Sequence, residues 1–167
     1  MVRYKSRYLL CEIVVDDPLC RQNINQGLLL HTLKEAIARA HGDFGAACCS
    51  VSFTVKYVNA YTGIVLLRCR KDFYQLLWSS LPFITYLESR GQRYSCFFHT
   101  LHVAGTVRTC QKYLIRYNQK QLLHLLQNTT KQAERSLIKS AIQSCSFEDV
   151  QEDEDGQSST EEESEMQ

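Results

Sequence analysis

The sequence predicts an α+β fold: one antiparallel sheet with helices packed on a face of it. Three observations predict it. Short β-rich runs with apolar alternation recur along the chain, which is the period of a half-buried strand. Between them lie segments whose apolar residues return every three or four positions, the period of a helix packed on one side. Two of the strand runs are separated only by Asn59-Ala60-Tyr61-Thr62-Gly63, too short for a helical crossover and suited to a hairpin.

Taken in order, Tyr4–Val15 (YKSRYLLCEIVV) reads as the first strand and stops at the turn signal Asp16-Asp17-Pro18. Asn25 is placed to cap a helix carrying Leu29, Leu33, Ile37 and Ala40, with Gly42 as its stop. Ser50–Val58 alternates, putting Val51, Phe53, Val55 and Tyr57 on one face. Ile64–Arg70 completes the hairpin. Asp72 with Gln75 makes a capping box for a second helix bearing Phe73, Leu76, Leu77, Leu81 and Ile84, which Pro82 should kink or divide. Cys96–Val107 is the last strand, irregular at Gly105. Thr109 is placed to cap a helix with Tyr113, Leu114 and Tyr117, which Leu122, Leu123, Leu125 and Leu126 prolong or follow. Thr129 with Gln132 is a second capping box, before an amphipathic helix with Ala133, Leu137, Ile138, Ala141, Ile142 and Cys145. The order β-α-β-β-α-β is the split βαβ, or ferredoxin-like, arrangement that RNA-recognition motifs share; extra helices and a tail follow it.

Charge divides the chain sharply. There are 19 Lys+Arg and 18 Asp+Glu, but ten of the acids and none of the bases lie in Glu148–Gln167. That leaves eight acids in positions 1–147, a net charge of about +11. We expect one domain over 1–147 and a disordered acidic tail over 148–167, since a segment so poor in apolar residues cannot build a core. A basic body is the electrostatic footprint of a polyanion binder. No signal peptide and no membrane span is expected from the hydropathy. Most of the eight cysteines sit in apolar runs, where a thiol behaves as a small hydrophobe, and reduced thiols are expected.

The residue types for catalysis are scarce in the body. A two-metal nuclease needs clustered carboxylates, and only Asp16 and Asp17 adjoin, at a proline turn. On a regular strand Cys96 and His102 face one way and His99 the other, which argues against a metal set. A nucleophile pair can be drawn from Cys49 and His41, but eight cysteines and five histidines make such pairs cheap, and a buried thiol with a surface imidazole is expected instead. Gly42-Asp43-Phe44-Gly45 has the GXXG spacing of a backbone-clamping loop, but its charge is negative and a helix stop with a turn into the next strand is expected there. No catalytic residue, metal or cofactor is assigned to the chain.

The basic residues are more informative. Arg3, Lys5 and Arg7 alternate on the first strand; Arg68 and Arg70 share a face of the third, with Lys71 next to them. Arg108, Lys112 and Arg116 follow the last strand, the latter two at i,i+4. Three such groups among few acids point to phosphate binding. Ile64–Arg70 lacks the aromatics with which RNA-recognition motifs stack bases, so contacts mainly to phosphate and sugar are expected.

The blocks VRYKSRYLLCEIV, NAYTGIVLLRCRKDFYQLLWSSLPFITYLESRGQRY and FFHTLHVAGTVRTCQKYLIRYNQKQLL, from about Val2 to Gln127, closely resemble eukaryotic members of the "processing of precursor" subunit five family of ribonuclease P and ribonuclease MRP. The resemblance implies a non-catalytic subunit of an RNA-based enzyme. Its RNA would carry the active site and the Mg²⁺, removing 5′ leaders from precursor tRNA in one particle and processing rRNA in the other. It further implies pairing with a TIM-barrel-like protein subunit, indirect contact with precursor tRNA, and work in the nucleus and nucleolus. By position, Asn59, Ala60, Tyr61, Thr62, Gly63, Arg68, Arg70 and Lys71 match one family block, and Gly105, Thr106, Arg108, Thr109 and Lys112 another. Of these, Asn59 and Tyr61 join the basic residues as candidate RNA contacts.

A second reading is a protein-interaction adaptor, because Tyr74, Leu77, Trp78, Leu81 and Phe83 are more aromatic and apolar than one helix stripe needs. In the tail, Ser158, Ser159 and Thr160 each have an acid three positions on, which marks them as expected phosphorylation sites.

Overall fold

A computed structural model describes residues 4–145, apart from the side chains of 18–20. The first strand is β1 (Ser6–Val15), followed by a 3₁₀ turn (Pro18–Asn23) and helix α1 (Gln26–Ser50). The hairpin β2 (Thr54–Val58) and β3 (Ile64–Arg70) comes next, then α2 (Tyr74–Ser80) and a 3₁₀ turn (Leu81–Phe83). The strands β4 (Tyr86–Ser89) and β5 (Gln92–Ala104) precede α3 (Val107–Asn128) and α4 (Gln132–Ser144). The sheet order is β2-β3-β1-β5-β4 with every neighbouring pair antiparallel. Without β4 this is the order expected of the ferredoxin-like fold. The chain divides into two compact units, one ending at Tyr113 and one beginning at Leu114. The expected boundary at 147 and the acidic tail lie outside the described residues.

The core of the first unit lies between one sheet face and α1 with α2. Leu9, Cys11 and Ile13 of β1 and Val65, Leu67 and Cys69 of β3 meet Leu29, Leu33 and Ile37 of α1 and Leu77 of α2. Asn25 caps α1 as expected, its side chain accepting from the Leu28 amide at 2.8 Å. Gly42 does not end this helix. With φ 66° it kinks the helix, and a second helical segment runs on to Ser50. The GXXG stretch is therefore a joint within a helix rather than a turn into a strand. A Cβ on Gly45 would lie 2.4 Å from the His41 Cβ, so only glycine lets the two segments approach so closely. Ala36, not Ala40, completes the buried stripe.

Other expectations fail for local reasons. Val51 is exposed because helix, not strand, runs to Ser50, and Tyr57 is exposed because a bulge between Val55 and Tyr57 turns it to the opposite sheet face, opposite Leu66. Asp72 makes no cap; Phe73 precedes α2 without a side-chain bond. Pro82 does end the helix, and Tyr86–Ser89 beyond the stripe is a strand that the sequence reading did not include. The β4–β5 turn is carried by Arg90 (φ 52°) and Gly91 (φ 78°). Thr106, not Thr109, caps α3: its Oγ1 accepts from the Thr109 amide at 3.2 Å. Val107 accordingly belongs to that helix, and β5 ends at Ala104.

In the second unit α3 continues unbroken through Leu126. The Gln119 side chain donates to the Cys145 carbonyl at 2.6 Å, tying α3 to the end of α4. The second capping box is not formed: Thr129 bonds back to the Leu125 carbonyl, and Lys131 precedes α4 without a side-chain cap. The expected stripe on α4 is not buried, and Leu137 is 69% exposed. Among the described residues no helix is long and apolar enough to cross a membrane.

Candidate nucleic-acid interface

The antiparallel register collects the basic groups at one end of the sheet. Ser6 opposes Arg70, and Tyr8 opposes both Arg68 and Ala104, so the start of β1, the end of β3 and the end of β5 coincide. Helix α3 starts three residues later, at Val107. Together they enclose an open cleft of ≈ 510 Å³ lined by Tyr4, Lys5, Arg7, Tyr8 and Arg68, with Gly105 to Val107 closing one side. Among the described residues no carboxylate lines it. Cleft walls of one sign focus the potential on an incoming anion.

Each cation is held differently. The Arg68 Nε donates to the Ser6 hydroxyl at 3.1 Å, which fixes the guanidinium at the cleft. The Arg70 guanidinium lies 3.9 Å over the Tyr4 ring, a cation–π contact, while its Nε is buried without a protein partner. The Lys71 amide donates to the Lys5 carbonyl at 2.9 Å, so those two neighbours are bound through the backbone and both side chains stay exposed. Arg7 opposes Cys69 and so leaves β1 on the core-facing side, opposite to Arg68 and Arg70. The two groups expected on strand faces therefore flank the sheet end from both sides. A Cβ on Gly105 would come within 3.2 Å of the Arg7 Nη1, so the bare glycine gives that guanidinium its room.

Arg3 lies outside the described residues. Arg108 and Lys112 stand in the first turns of α3, whereas Arg116 belongs to the second unit. Asn59 and Tyr61 sit at the other end of β3, roughly 20 Å of strand away. There Asn59 organises the hairpin: its Oδ1 accepts from the amides of Tyr61 (2.9 Å) and Thr62 (3.2 Å), and its Nδ2 donates to the Tyr57 hydroxyl (3.2 Å). Tyr4, Ser6 and Thr106 shape the basic end and were not among the expected site residues. Tyr4 had a signal as an aromatic inside the basic run Arg3–Arg7, and Thr106 had one as part of a matching family block.

The other sheet face offers no open platform. Leu10 and Leu66 are buried at its centre. Cys110 reaches the Tyr8 carbonyl through its sulfur at 3.9 Å, and Tyr113 stacks on His102 with ring centres 4.5 Å apart. Exposed aromatics on this face, Tyr57 and Phe97, stand on β2 and β5 rather than on the central pair. Of the aromatic helix group, Leu77 and Leu81 are core residues and can meet no partner, being 0% and 1% exposed. Tyr74 is half-buried; Trp78 and Phe83 are exposed.

The buried thiols do not support nucleophilic chemistry. Burial pushes Cys11 and Cys69 up to about 12, and Cys96 and Cys110 up to about 11, so they are neutral at physiological pH. Cys49 is buried and shifted the same way for the same reason, and His41 instead meets the Ser79 hydroxyl at 2.8 Å. The expected arrangement of Cys96, His99 and His102 is corrected by a bulge at Leu101. His99 opposes Glu12 and His102 opposes Leu10, so both histidines share one face and Cys96 turns into the core. Among the described residues no group of three His, Cys, Asp or Glu could hold a metal ion, and the cationic cleft would repel one.

Residues 7–115 match the model of the Rpp14/Pop5 family. The chain is similar to the human ribonuclease P/MRP protein subunit POP5, with 63% identity covering 91% of this chain and 94% of that one. The Danio rerio subunit of the same name is 51% identical over 88% of each chain. A chain in a cryo-EM structure of yeast ribonuclease MRP is also similar, with 15% identity, a TM-score of 0.47, and coverage of 72% of this chain and 96% of that one.

Proposed function

The chain belongs to the Rpp14/Pop5 family, and we propose that it is a protein subunit of ribonuclease P and ribonuclease MRP that binds RNA without cutting it. The likeness to the human subunit over nearly the whole of both chains carries this reading. Its part in the particle is electrostatic and architectural. The cleft at the sheet end, with Arg68 preset by Ser6 and Arg70 by Tyr4, takes the phosphates of the particle's RNA. Cleavage of precursor tRNA and processing of rRNA are left to the RNA and the Mg²⁺ it binds. The chemistry favours that division, since the buried Cys11, Cys69, Cys96 and Cys110 are neutral and no carboxylate among the described residues lines the cleft.

The exposed Trp78 and Phe83, 50% and 60% exposed, are the surface we assign to pairing with another protein subunit, of the TIM-barrel-like kind. Nuclear and nucleolar residence follows from the same reading, as does phosphorylation at Ser158, Ser159 and Thr160, which lie outside the described residues. Isolation of the tagged chain followed by sequencing of its bound RNA tests the assignment. The expected RNAs are those of ribonuclease P and ribonuclease MRP; their absence would overturn it. The purified chain should leave precursor tRNA intact in Mg²⁺. Cleavage that disappears on changing Asp16 and Asp17 would contradict a non-catalytic role.

A further inference from the structure

Two tyrosines share the basic cleft with its cations, and that combination has a narrower meaning than phosphate attraction. The volume of ≈ 510 Å³ exceeds what a lone ion needs and falls in the range of small-ligand sites. Tyr4 is 63% exposed although it is a large aromatic side chain. One face of its ring is covered by the Arg70 guanidinium at 3.9 Å, so the exposure of the side chain is left to the rest of the ring. Arg68 uses its Nε on Ser6, which leaves the terminal nitrogens of its guanidinium for an anion. An aromatic face beside fixed guanidinium groups is what a nucleotide requires: a platform for the base and donors for the phosphate.

The geometry points to a site for one unpaired nucleotide of an RNA strand, its base stacked on the exposed part of the Tyr4 ring and its phosphate held by Arg68 and Arg7. This rests on the reading of the chain as an RNA-binding subunit, and it adds a base contact where the sequence implied mainly phosphate and sugar. The stacking lies at the sheet end rather than on the middle of the sheet, because Leu10 and Leu66 are buried there. A paired nucleotide keeps both faces of its base in the helical stack, so duplex RNA has no free face to offer Tyr4. Arg70 on the far side of the ring positions Tyr4 and adds positive charge to the stack.

The test uses the full chain, a single-stranded uridine octamer and an RNA duplex of equal length, each titrated at several salt concentrations. Tyr4→Ala should weaken octamer binding by about 5- to 50-fold and leave its salt slope unchanged, because no charge is removed. Tyr4→Phe should bind like the parent. Arg68→Gln should lower the single-strand salt slope by about 0.7, the value for one lost phosphate contact. Duplex affinity should not respond to Tyr4→Ala. Ultraviolet crosslinking of the parent chain to the octamer should join the peptide that contains Tyr4, a readout needing no variant. Unchanged octamer affinity in Tyr4→Ala, an equal loss on duplex, or no octamer binding by the parent chain would each overturn the inference. A fallen salt slope in Tyr4→Ala would also overturn it, by showing that the ring only holds Arg70 in place. Recovery of ribonuclease P and ribonuclease MRP RNA with the tagged parent chain is scored separately, so failure of the proposed function is distinguishable from failure of this site.

Discussion

The two ends of β3 carry one continuous family block and do different work with it. At the hairpin end, Asn59 and Gly63 serve the backbone. Gly63 adopts φ 73°, its carbonyl accepts from the Ile13 amide at 2.8 Å, and a Cβ there would stand 2.5 Å from the Ile13 carbonyl oxygen. At the far end, Arg68, Arg70 and Lys71 serve charge, placed by backbone pairing to β1 and, for the two arginines, by Ser6 and Tyr4. A run of matching residues therefore does not mark one site. It marks a strand whose start must fit against a neighbour and whose finish faces the cleft.

The sharpest way to break this division is Gly63→Ala. The added methyl group must enter a left-handed backbone conformation and also displace a backbone oxygen, which together cost about 2–4 kcal/mol of stability. A lowered urea midpoint with RNA affinity intact under folding conditions is the expected result. RNA affinity that falls while the midpoint holds would place Gly63 at the RNA and merge the two ends.

Charge reversal at the other end should show the opposite pattern. Changing Arg68, Arg70 and Lys71 to Glu should weaken RNA association by about 1 kcal/mol or more for each lost phosphate contact and flatten the plot of log affinity against log salt. The fold should survive, because Lys71 is exposed and Arg68 and Arg70 stand half-buried at the strand end. Filter binding across a salt series checks it. An unchanged slope would assign these cations to protein contact or solvent.

How much of this was legible depends on whether the signal is local. Alternation in Ser50–Val58, the β-rich run Ile64–Arg70 and the five-residue connection place the hairpin, and the strand period puts Arg68 and Arg70 on one face. Asn25 names its cap because the Asn side chain acts three residues away. The bulges at Lys56–Tyr57 and Leu101 were not legible, since an extra residue in a ladder depends on the partner strand; they turned Tyr57 outward and brought His99 to the face of His102. Strand β4 was hidden because the apolar residues after Pro82 also fit a helical period. In the site, the basic residues were visible as types, but their meeting was set by the register of Ser6 with Arg70 and Tyr8 with Ala104. That register is fixed by burial of Leu9, Cys11 and Ile13 on one face, a property of the whole sheet.

Asn59→Ala is a gentler probe of the hairpin end. It removes an acceptor shared by two amides and a bond to the Tyr57 hydroxyl, all at an exposed turn where water can substitute in part. We expect a loss of about 1 kcal/mol in stability with no change in salt slope. Thermal unfolding of the variant beside the charge-reversal chain gives the direct contrast: one loses stability and keeps RNA, the other loses RNA and keeps stability.

The smallest effect is expected from Tyr61→Ala, and its size carries information. The ring of Tyr61 is 84% exposed, and the turn uses only its backbone: the amide donates to Asn59, and the carbonyl accepts from Arg21 at 3.2 Å. Truncating the ring should therefore shift stability by no more than about 0.5 kcal/mol, as for surface positions generally. If the hairpin end serves geometry alone, RNA affinity of the free chain should move just as little. A stacking residue would behave otherwise, since loss of one base–aromatic stack weakens single-strand binding by about 1–3 kcal/mol without altering the salt slope. Measured against the same uridine octamer as Tyr4→Ala, the two tyrosines should separate cleanly, with the loss confined to Tyr4. An equal loss from Tyr61→Ala would mean that the strand meets RNA at both ends, and the division of labour along β3 would fail.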